Sequence, residues 1–362
     1  MNIPLDPFNC RINLSEQGFS GLSTLEKRYT SCFIIADDSM ATLYGEAAKS
    51  AARDIHDEPQ LITFPPGESS KSIETASILW EQLIALGADR SSLIISLGGG
   101  VATDLVGFVA STYMRGVDLV HIPTSLLAMV DAAIGGKTGI NLQQGKNLVG
   151  SIYHPTLILV NLEILASLSA KEFRSGLAEV VKSAVLGSLE LYEYLCDHIE
   201  RINNRDRETI KKIVIETCRI KVEVVCKDEK EQNLRAVLNY GHTFAHAIET
   251  ATQYQVYTHG EAVSIGMSCA AYVAKHLGFV DSSFIKNQDS LCQELGLPTT
   301  LPDIDTTVLI NLMKRDKKSL SGKINLIVPE KIGKVIKAPN VAAEIITKAL
   351  EEKRTFDNLE RS

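Results

Sequence analysis

The chain has 362 residues, 45% hydrophobic and 22% charged, which is enough for two domains with cores of their own. Its net charge of −7 supplies no global basic field for nucleic acid or an anionic membrane, so any anion must be held by local Lys and Arg groups. The opening residues MNIPLDPFNC lack the pattern of a secretory signal, no apolar run is long enough to span a bilayer, and the seven cysteines form no C-x-x-C pair; the expectation is a cytoplasmic protein with reduced thiols.

In chain order, the short apolar runs at 31–37 (SCFIIAD), 60–64 (QLITF), 91–97 (SSLIISL), 117–123 (VDLVHIP) and 156–161 (TLILVN) read as strands. Helical spacing appears between them near 40–53, 71–87 and 101–113. Such alternation implies a parallel sheet covered by helices. Beyond 161 the periodicity changes: 170–186, 205–227, 242–253, 260–277 and 341–352 read as helices, and KINLIV (323–328) is the one obvious strand. The charged tail EEKRTFDNLERS is expected to fray. The expected class is α/β, with a Rossmann-like parallel-sheet domain over 1–161 and a mostly helical domain over 162–362.

Two glycine-rich segments stand out. In LIISLGGGVATDLVGFVA, a strand meets a helix through Gly98-Gly99-Gly100, where free N–H groups and the helix dipole suit a phosphate. Thr103 breaks the G-x-G-x-x-G fingerprint and no Gly-Lys-Ser/Thr follows, so a nucleotide turn and a bare strand–helix turn weigh equally. Asp104 at the helix start is suited to capping or to a ribose hydroxyl. The second segment, AIGGKTGINLQQGKNLVG (133–150), shows no apolar periodicity and reads as a loop; its Gly-Lys steps at Lys137 and Lys146, with Asn147, favour an anion site over a solvated basic loop.

In NYGHTFAHAIET, His242 and His246 share one helix face, with Glu249 three residues on, and His259 opens a later helix. Three histidines of eight gather here. They can converge on one divalent ion, which would also want a carboxylate. Glu179, inside an apolar helical run with Lys182 a turn away, is the nearest candidate by context; a structural ion pair is the alternative for those two.

The strings GESSKS, LGGGVATDLVGFVASTYMRG, IPTSLLAMVDAAIGGKTGINLQQGKNLVG, EFRSGLAEVVK, LNYGHTFAHAIE, HGEAVSIGM and RDKK, in this order, resemble the 3-dehydroquinate synthase family of sugar-phosphate cyclases over nearly the whole chain. The resemblance implies NAD and a divalent metal, zinc or cobalt, as cofactors, a small sugar acid phosphate as substrate, and a homodimer. It assigns Glu179, His242 and His259 to the metal, and His246 to proton transfer near the substrate phosphate. Lys137, Lys146, Asn147, Asn239, His246 and Lys317 would surround that phosphate, with Arg115 reaching in from a partner subunit. Lys221 and Arg235 would take the carboxylate, and Asp131, Lys182 and Glu231 would support metal and substrate. Asp37, Glu68, Lys71, Gly99, Gly100, Asp104, Thr124 and Ser125 match NAD-contacting positions, along with Lys137 and Lys146. The chain departs from the family pattern at Ser39, where the family often has Asn near the adenosine ribose, and at Met129, Ala132 and Ala133, which lose polar groups. Other readings are a sibling cyclase acting on a neutral sugar phosphate, a metal-dependent polyol or alcohol dehydrogenase, and a non-enzymatic binding protein.

Overall fold

The computed structural model describes residues 1–15, 18–315 and 324–361 and divides into two compact units, Met1–Leu168 and Ser169–Ser362.

The first unit is built on a seven-stranded sheet. Its strands are β1 (Asn2–Leu5), β2 (Cys10–Ser15), β3 (Cys32–Asp37), β4 (Gln60–Phe64), β5 (Leu93–Gly98), β6 (Asp118–Pro123) and β9 (Leu157–Asn161), in the order β1-β2-β9-β6-β5-β3-β4. β1 pairs antiparallel with β2, and the other pairs are parallel. Every residue of β5 and β9 is buried, and both are near-continuous apolar runs, as a parallel strand covered on both faces requires. The helices are α1 (Asp38–Met40) and α2 (Glu46–Ala52), joined by a π stretch at Ala41–Gly45, then α3 (Ile73–Ala85) and α4 (Gly100–Thr112). Leu79 and Leu83 of α3 and Leu105 and Val106 of α4 pack with Phe33, Ile35 and Ile62 in one core. The chain passes from β4 on one side of β3 to β5 on the other. That reversal opens a crevice at the carboxyl ends of β3 and β5, the usual ligand position in such sheets.

The second unit contains α5 (Ala170–Gly187), α6 (Leu189–Asp197), α7 (Ile199–Asn203), α8 (Arg207–Lys227), α9 (His242–Ala251), α10 (His259–His276), α11 (Ser282–Glu294), α12 (Thr306–Arg315), the hairpin β10 (Ile324–Lys331)–β11 (Lys334–Val341) and α13 (Ala343–Arg361). α10 is its axis. A Thr258/Glu261 capping box starts it, and it is buried continuously from Ala262 to Ala274. It touches α5, α9 and α13. A methyl group on Gly266 would lie 2.2 Å from the Gly241 carbonyl oxygen, so only glycine lets α9 and α10 approach this closely. Gly241 itself sits at φ +79°, a left-handed turn that aims α9 into this contact.

Three expectations need correction. The segment 133–150 is not a loop: β7 (Lys137–Leu142) and β8 (Gly145–Ile152) form an antiparallel hairpin in which Gly139 faces Gly150. A methyl group on Gly150 would lie 2.0 Å from the Thr138 carbonyl oxygen, and β8 is largely exposed, so neither bulk nor apolar alternation betrays the strands. The tail does not fray: α13 runs to Arg361, with Lys353 fully buried and its ammonium 3.2 Å from Asp357. KINLIV is not a lone strand, because β11, with Lys334, Lys337, Pro339 and Asn340 at its exposed positions, completes the hairpin. Among the described residues no helix is long and apolar enough to cross a membrane.

Lys353→Ala is expected to cost about 3–5 kcal/mol, because it leaves the Asp357 carboxylate buried without its ammonium. A denaturant midpoint unchanged from wild type, at equal slope, would show that α13 does not depend on the pair.

Candidate functional site

In the second unit α5, α9 and the start of α10 bring three ligand-bearing side chains together. One donor atom each from Glu179, His242 and His259 lies within 4.8 Å of the others. The local sequence explains the placement. Gly260 has no side chain, and a methyl there would stand 2.0 Å from the Ser175 carbonyl oxygen, so α10 begins directly against α5. The Gly260 N–H donates to Ser175 Oγ at 3.0 Å. α9 carries His242 on its first turn, and the tight α9–α10 contact brings its ring to 5.3 Å from that of His259.

Glu179 is 1% exposed. Its Oε2 is ion-paired with Lys182, itself 2% exposed. Its Oε1 accepts no hydrogen bond and stands 3.7 Å from His242 Nε2 and 3.8 Å from His259 Nε2. A buried carboxylate oxygen facing two imidazole nitrogens across such gaps fits a divalent cation: the donor set is two nitrogens and one oxygen, the spacing exceeds hydrogen-bond length, and three protein ligands leave positions open. Burial, with help from the Lys182 ammonium and the His259 and His246 rings, holds His242 well below the ordinary imidazole range. It is therefore neutral at physiological pH, as a ligand must be. The His242 Nδ1 lies 3.2 Å from the Tyr240 carbonyl, and Tyr240 is pinned by its hydroxyl to Met267 O (3.2 Å) and Gln288 Oε1 (2.6 Å).

His246 lies one turn along α9, its ring centroid 5.7 Å from that of His242. Asn239 donates to Glu231 Oε1 at 2.5 Å and to the Ala236 carbonyl at 3.1 Å, so these two predicted residues are joined directly. Lys221 on α8 and Arg235 in the 3₁₀ turn Leu234–Asn239 are both buried, and the turn packs on α8. Lys317 lies outside the described residues.

In the first unit the predicted residues fall into two groups joined by α4. At the carboxyl ends of β3, β5 and β6 stand Asp37, Gly99, Gly100, Thr124 and Ser125. Asp37 caps α1 by accepting from the Ser39 and Met40 N–H groups at 3.0 Å, and Thr124 N–H donates to Gly98 O at 3.0 Å. Gly99 is the N-cap of α4 and makes no side-chain cap, so the first N–H groups of this helix face the crevice uncapped by any side chain of their own N-cap. Asp104 is not a cap, as one sequence reading allowed. It pairs with Lys71, which is 4% exposed and also donates to Asn147 Oδ1. Burial pushes the Asp104 carboxyl up, and the Lys71 ammonium pulls it back. Glu68 Oε1 accepts from Asn141 Nδ2 at 2.7 Å and lies 3.7 Å from Lys146 Nζ. The hairpin β7–β8 is thus tied to the Glu68–Lys71 segment.

Three further predicted residues belong to the first unit. Asp131 lies in the π turn Ala128–Ala132, close enough for its charge to bear on Asp104. Lys137 is exposed at the start of β7. Arg115 follows the far end of α4, about 20 Å of helix from Gly100, in a turn where Met114 (φ 50°) and Arg115 (φ 70°) are both left-handed. Sequence reasoning assigned no role to two residues. Glu249 Oε1 lies 3.2 Å from His259 Nδ1; its place seven residues after His242, on the same face of α9, was the available signal. Asp228 accepts from the N–H groups of Gln232, Asn233 and Arg235 at 2.8–3.0 Å, which lowers its carboxyl to about 2 and fixes the turn carrying Arg235; within the charged run CKDEKEQN nothing marked it.

The comparisons with known proteins agree with one another. Residues 61–175 match the family model for the 3-dehydroquinate synthase N-terminal domain, and residues 176–319 match the one for its C-terminal domain. A 3-dehydroquinate synthase of Thermodesulfovibrio yellowstonii is 42% identical over 88% of this chain and 89% of its own. Among solved structures, 2-epi-5-epi-valiolone synthase from Streptomyces hygroscopicus subsp. jinggangensis, with NAD+ and Zn2+ bound, superposes with a TM-score of 0.88 at 28% identity, covering 96% of this chain and 97% of that one. A 2-deoxy-scyllo-inosose synthase complexed with carbaglucose-6-phosphate, NAD+ and Co2+ gives 0.86 at 25% identity, covering 95% and 96%. With both halves matched by its models and a relative above two-fifths identity along most of its length, the chain belongs to the 3-dehydroquinate synthase family.

Proposed function

We propose that the chain is a phosphate-eliminating lyase that cyclises 3-deoxy-D-arabino-heptulosonate 7-phosphate to 3-dehydroquinate, the second step of the shikimate pathway, with NAD and a divalent metal, zinc or cobalt, as cofactors. The observation that carries this reading is the convergence of Glu179, His242 and His259 beside Lys182 in a chain of this family. Glu179, His242 and His259 would hold the metal, which would supply Lewis acidity toward a substrate hydroxyl, and NAD would supply a reversible hydride acceptor, leaving the conversion redox-neutral overall.

The chain's own residues then have separable tasks. Lys182 is ion-paired with one oxygen of Glu179 and leaves the second facing the two imidazoles. His246, with two ring nitrogens and a place one turn from His242, is assigned to proton transfer. In the elimination, the C–O bond to phosphate breaks and phosphate keeps its electrons, while the adjacent C–H bond loses its proton and its electrons form the new double bond. Lys146, Asn147 and Lys137 in the hairpin supply donors for phosphate oxygens. Asn239 and Glu231, joined by their hydrogen bond, are assigned to orienting the substrate. The glycine turn at Gly99 and Gly100, with Asp37, Thr124 and Ser125, is assigned to NAD. The cytoplasm is the proposed location, supported by seven free thiols. A homodimer is the proposed assembly. It is supported by the place of Arg115, about 20 Å of helix from Gly100, and by the exposed Leu148, Val149 and Ile152 of β8.

Metal removal tests the core of this reading. Chelation is expected to abolish phosphate release from the heptulosonate phosphate, and zinc or cobalt to restore it, with no stoichiometric NADH accumulating. Full turnover in a sample verified as metal-free, or NADH matched to product, would remove the assignment; the second result would point to a dehydrogenase.

His246→Ala is expected to keep the bound metal while losing most of its rate, about 10²- to 10⁴-fold for a general acid–base group. Metal loss equal to that of His242→Ala would instead make His246 a ligand.

The choice of an acid over a neutral sugar rests on Lys221 and Arg235, two cations buried in one part of the second unit. An arginine fork beside an ammonium suits a carboxylate. Arg235→Ala is expected to reduce kcat/KM for the acid about 10²-fold or more and to leave metal content unchanged. Wild-type enzyme should barely turn over sedoheptulose 7-phosphate, which lacks the carboxylate. Efficient cyclisation of that neutral sugar, with the acid ignored, would reassign the chain to the valiolone-type cyclases.

A further inference from the structure

We infer that Glu249 is a positioning residue for the metal centre: it holds His259 in the tautomer that carries its proton on Nδ1 and so keeps the Nε2 lone pair facing Glu179. The inference rests on the metal reading proposed above and deepens it.

The geometry is direct. Glu249 Oε1 lies 3.2 Å from His259 Nδ1, and on the other side of the ring Nε2 lies 3.8 Å from Glu179 Oε1. An ionised carboxylate can only accept, so a hydrogen bond at Nδ1 requires the ring proton to be there. Nε2 is then unprotonated and available as a ligand. His242 is held in the same sense by a different acceptor, since its Nδ1 faces the Tyr240 carbonyl at 3.2 Å. Both rings therefore present Nε2 to the same carboxylate oxygen of Glu179.

The two acceptors are unequal, and the surroundings give a reason. His242 has a side chain 13% exposed, backed by the fixed Tyr240 backbone. His259 is 32% exposed and is the first residue of α10, where packing constrains a ring least. A charged acceptor orients such a ring more firmly than a carbonyl does, and it makes the opposite nitrogen a better donor to a cation. Glu249 is suited to the task because its own side chain is only 9% exposed and sits on the rigid α9. Residues 242, 246 and 249 then form one functional face, carrying a ligand, a proton-transfer group and the group that orients the ligand on the next helix.

Two measurements on the intact chain test this without recourse to turnover. The nitrogen shifts of His259 in metal-free protein at neutral pH report its tautomer, and a competition titration reports zinc affinity. Wild type should carry the proton on Nδ1. Glu249→Gln, which keeps an acceptor but loses the charge, should retain that tautomer and weaken zinc about 3- to 10-fold, whereas Glu249→Leu should release the tautomer and weaken zinc about 10- to 100-fold. Should the leucine variant not fold, the glutamine variant and the wild-type tautomer still decide the matter. A wild-type His259 protonated on Nε2, or zinc affinity in Glu249→Gln equal to wild type, overturns the inference. Wild-type protein that takes up no zinc, with Glu179→Ala indistinguishable from it, overturns the metal reading beneath it.

Discussion

The second unit is organised around one electrostatic problem, the burial of the Glu179 carboxylate. An ion with 1% exposure has lost nearly all its water, and the pair with Lys182 satisfies only one of its oxygens. The other oxygen faces two imidazoles, of which burial holds His242 well below the ordinary imidazole range. A buried carboxylate oxygen and two imidazole nitrogens thus meet at one point, an arrangement that a cation would complete. Much else serves to maintain it: the glycine contact between α9 and α10, the start of α10 against Ser175, and the Tyr240 anchor behind His242.

The first unit solves a related problem with a different residue. Lys71 is a buried ammonium held by the Asp104 carboxylate on α4 and by Asn147 on the β7–β8 hairpin. One cation therefore fixes three segments: the stretch after β4, the helix that starts at the glycine turn, and the hairpin that supplies Lys146. Loss of its charge would loosen the start of α4 and the β7–β8 hairpin together, which makes Lys71 an architectural residue of this unit.

How much of this was legible in the sequence follows from what each feature depends on. The parallel strands were, because burial on both faces forces unbroken apolar runs such as LIISL. The long helices of the second unit were, because their apolar spacing survives in sequence. Residues 139 and 150 hid the β7–β8 hairpin, since glycine facing glycine carries no strand propensity and β8 is exposed. The strands β1 and β11 were hidden by their shortness, prolines and charges. The tail looked soluble because its composition is charged, yet Lys353 and Asp357 are buried as a pair, and pairing is a tertiary fact that composition does not encode. The motif strings named Glu179, His242 and His259, which the fold brings together. The orienting roles of Glu249 and Asp228 needed coordinates, because each acts on a residue brought near by a turn or a helix contact.

The position of α13 has a consequence for how the protein is made. Its Lys353 ammonium sits 5.3 Å from the centre of the Tyr272 ring on α10, the helix that begins with His259. During synthesis Glu179, His242 and His259 emerge well before α13 exists, while the first unit is already complete enough to fold as a body of its own. For that interval the axis of the second unit lacks one wall, and its apolar surface is open to solvent and to other nascent chains. The emerging chain is therefore most exposed to aggregation, and to capture of a cation by an unfinished site, in the stretch of translation between α10 and α13.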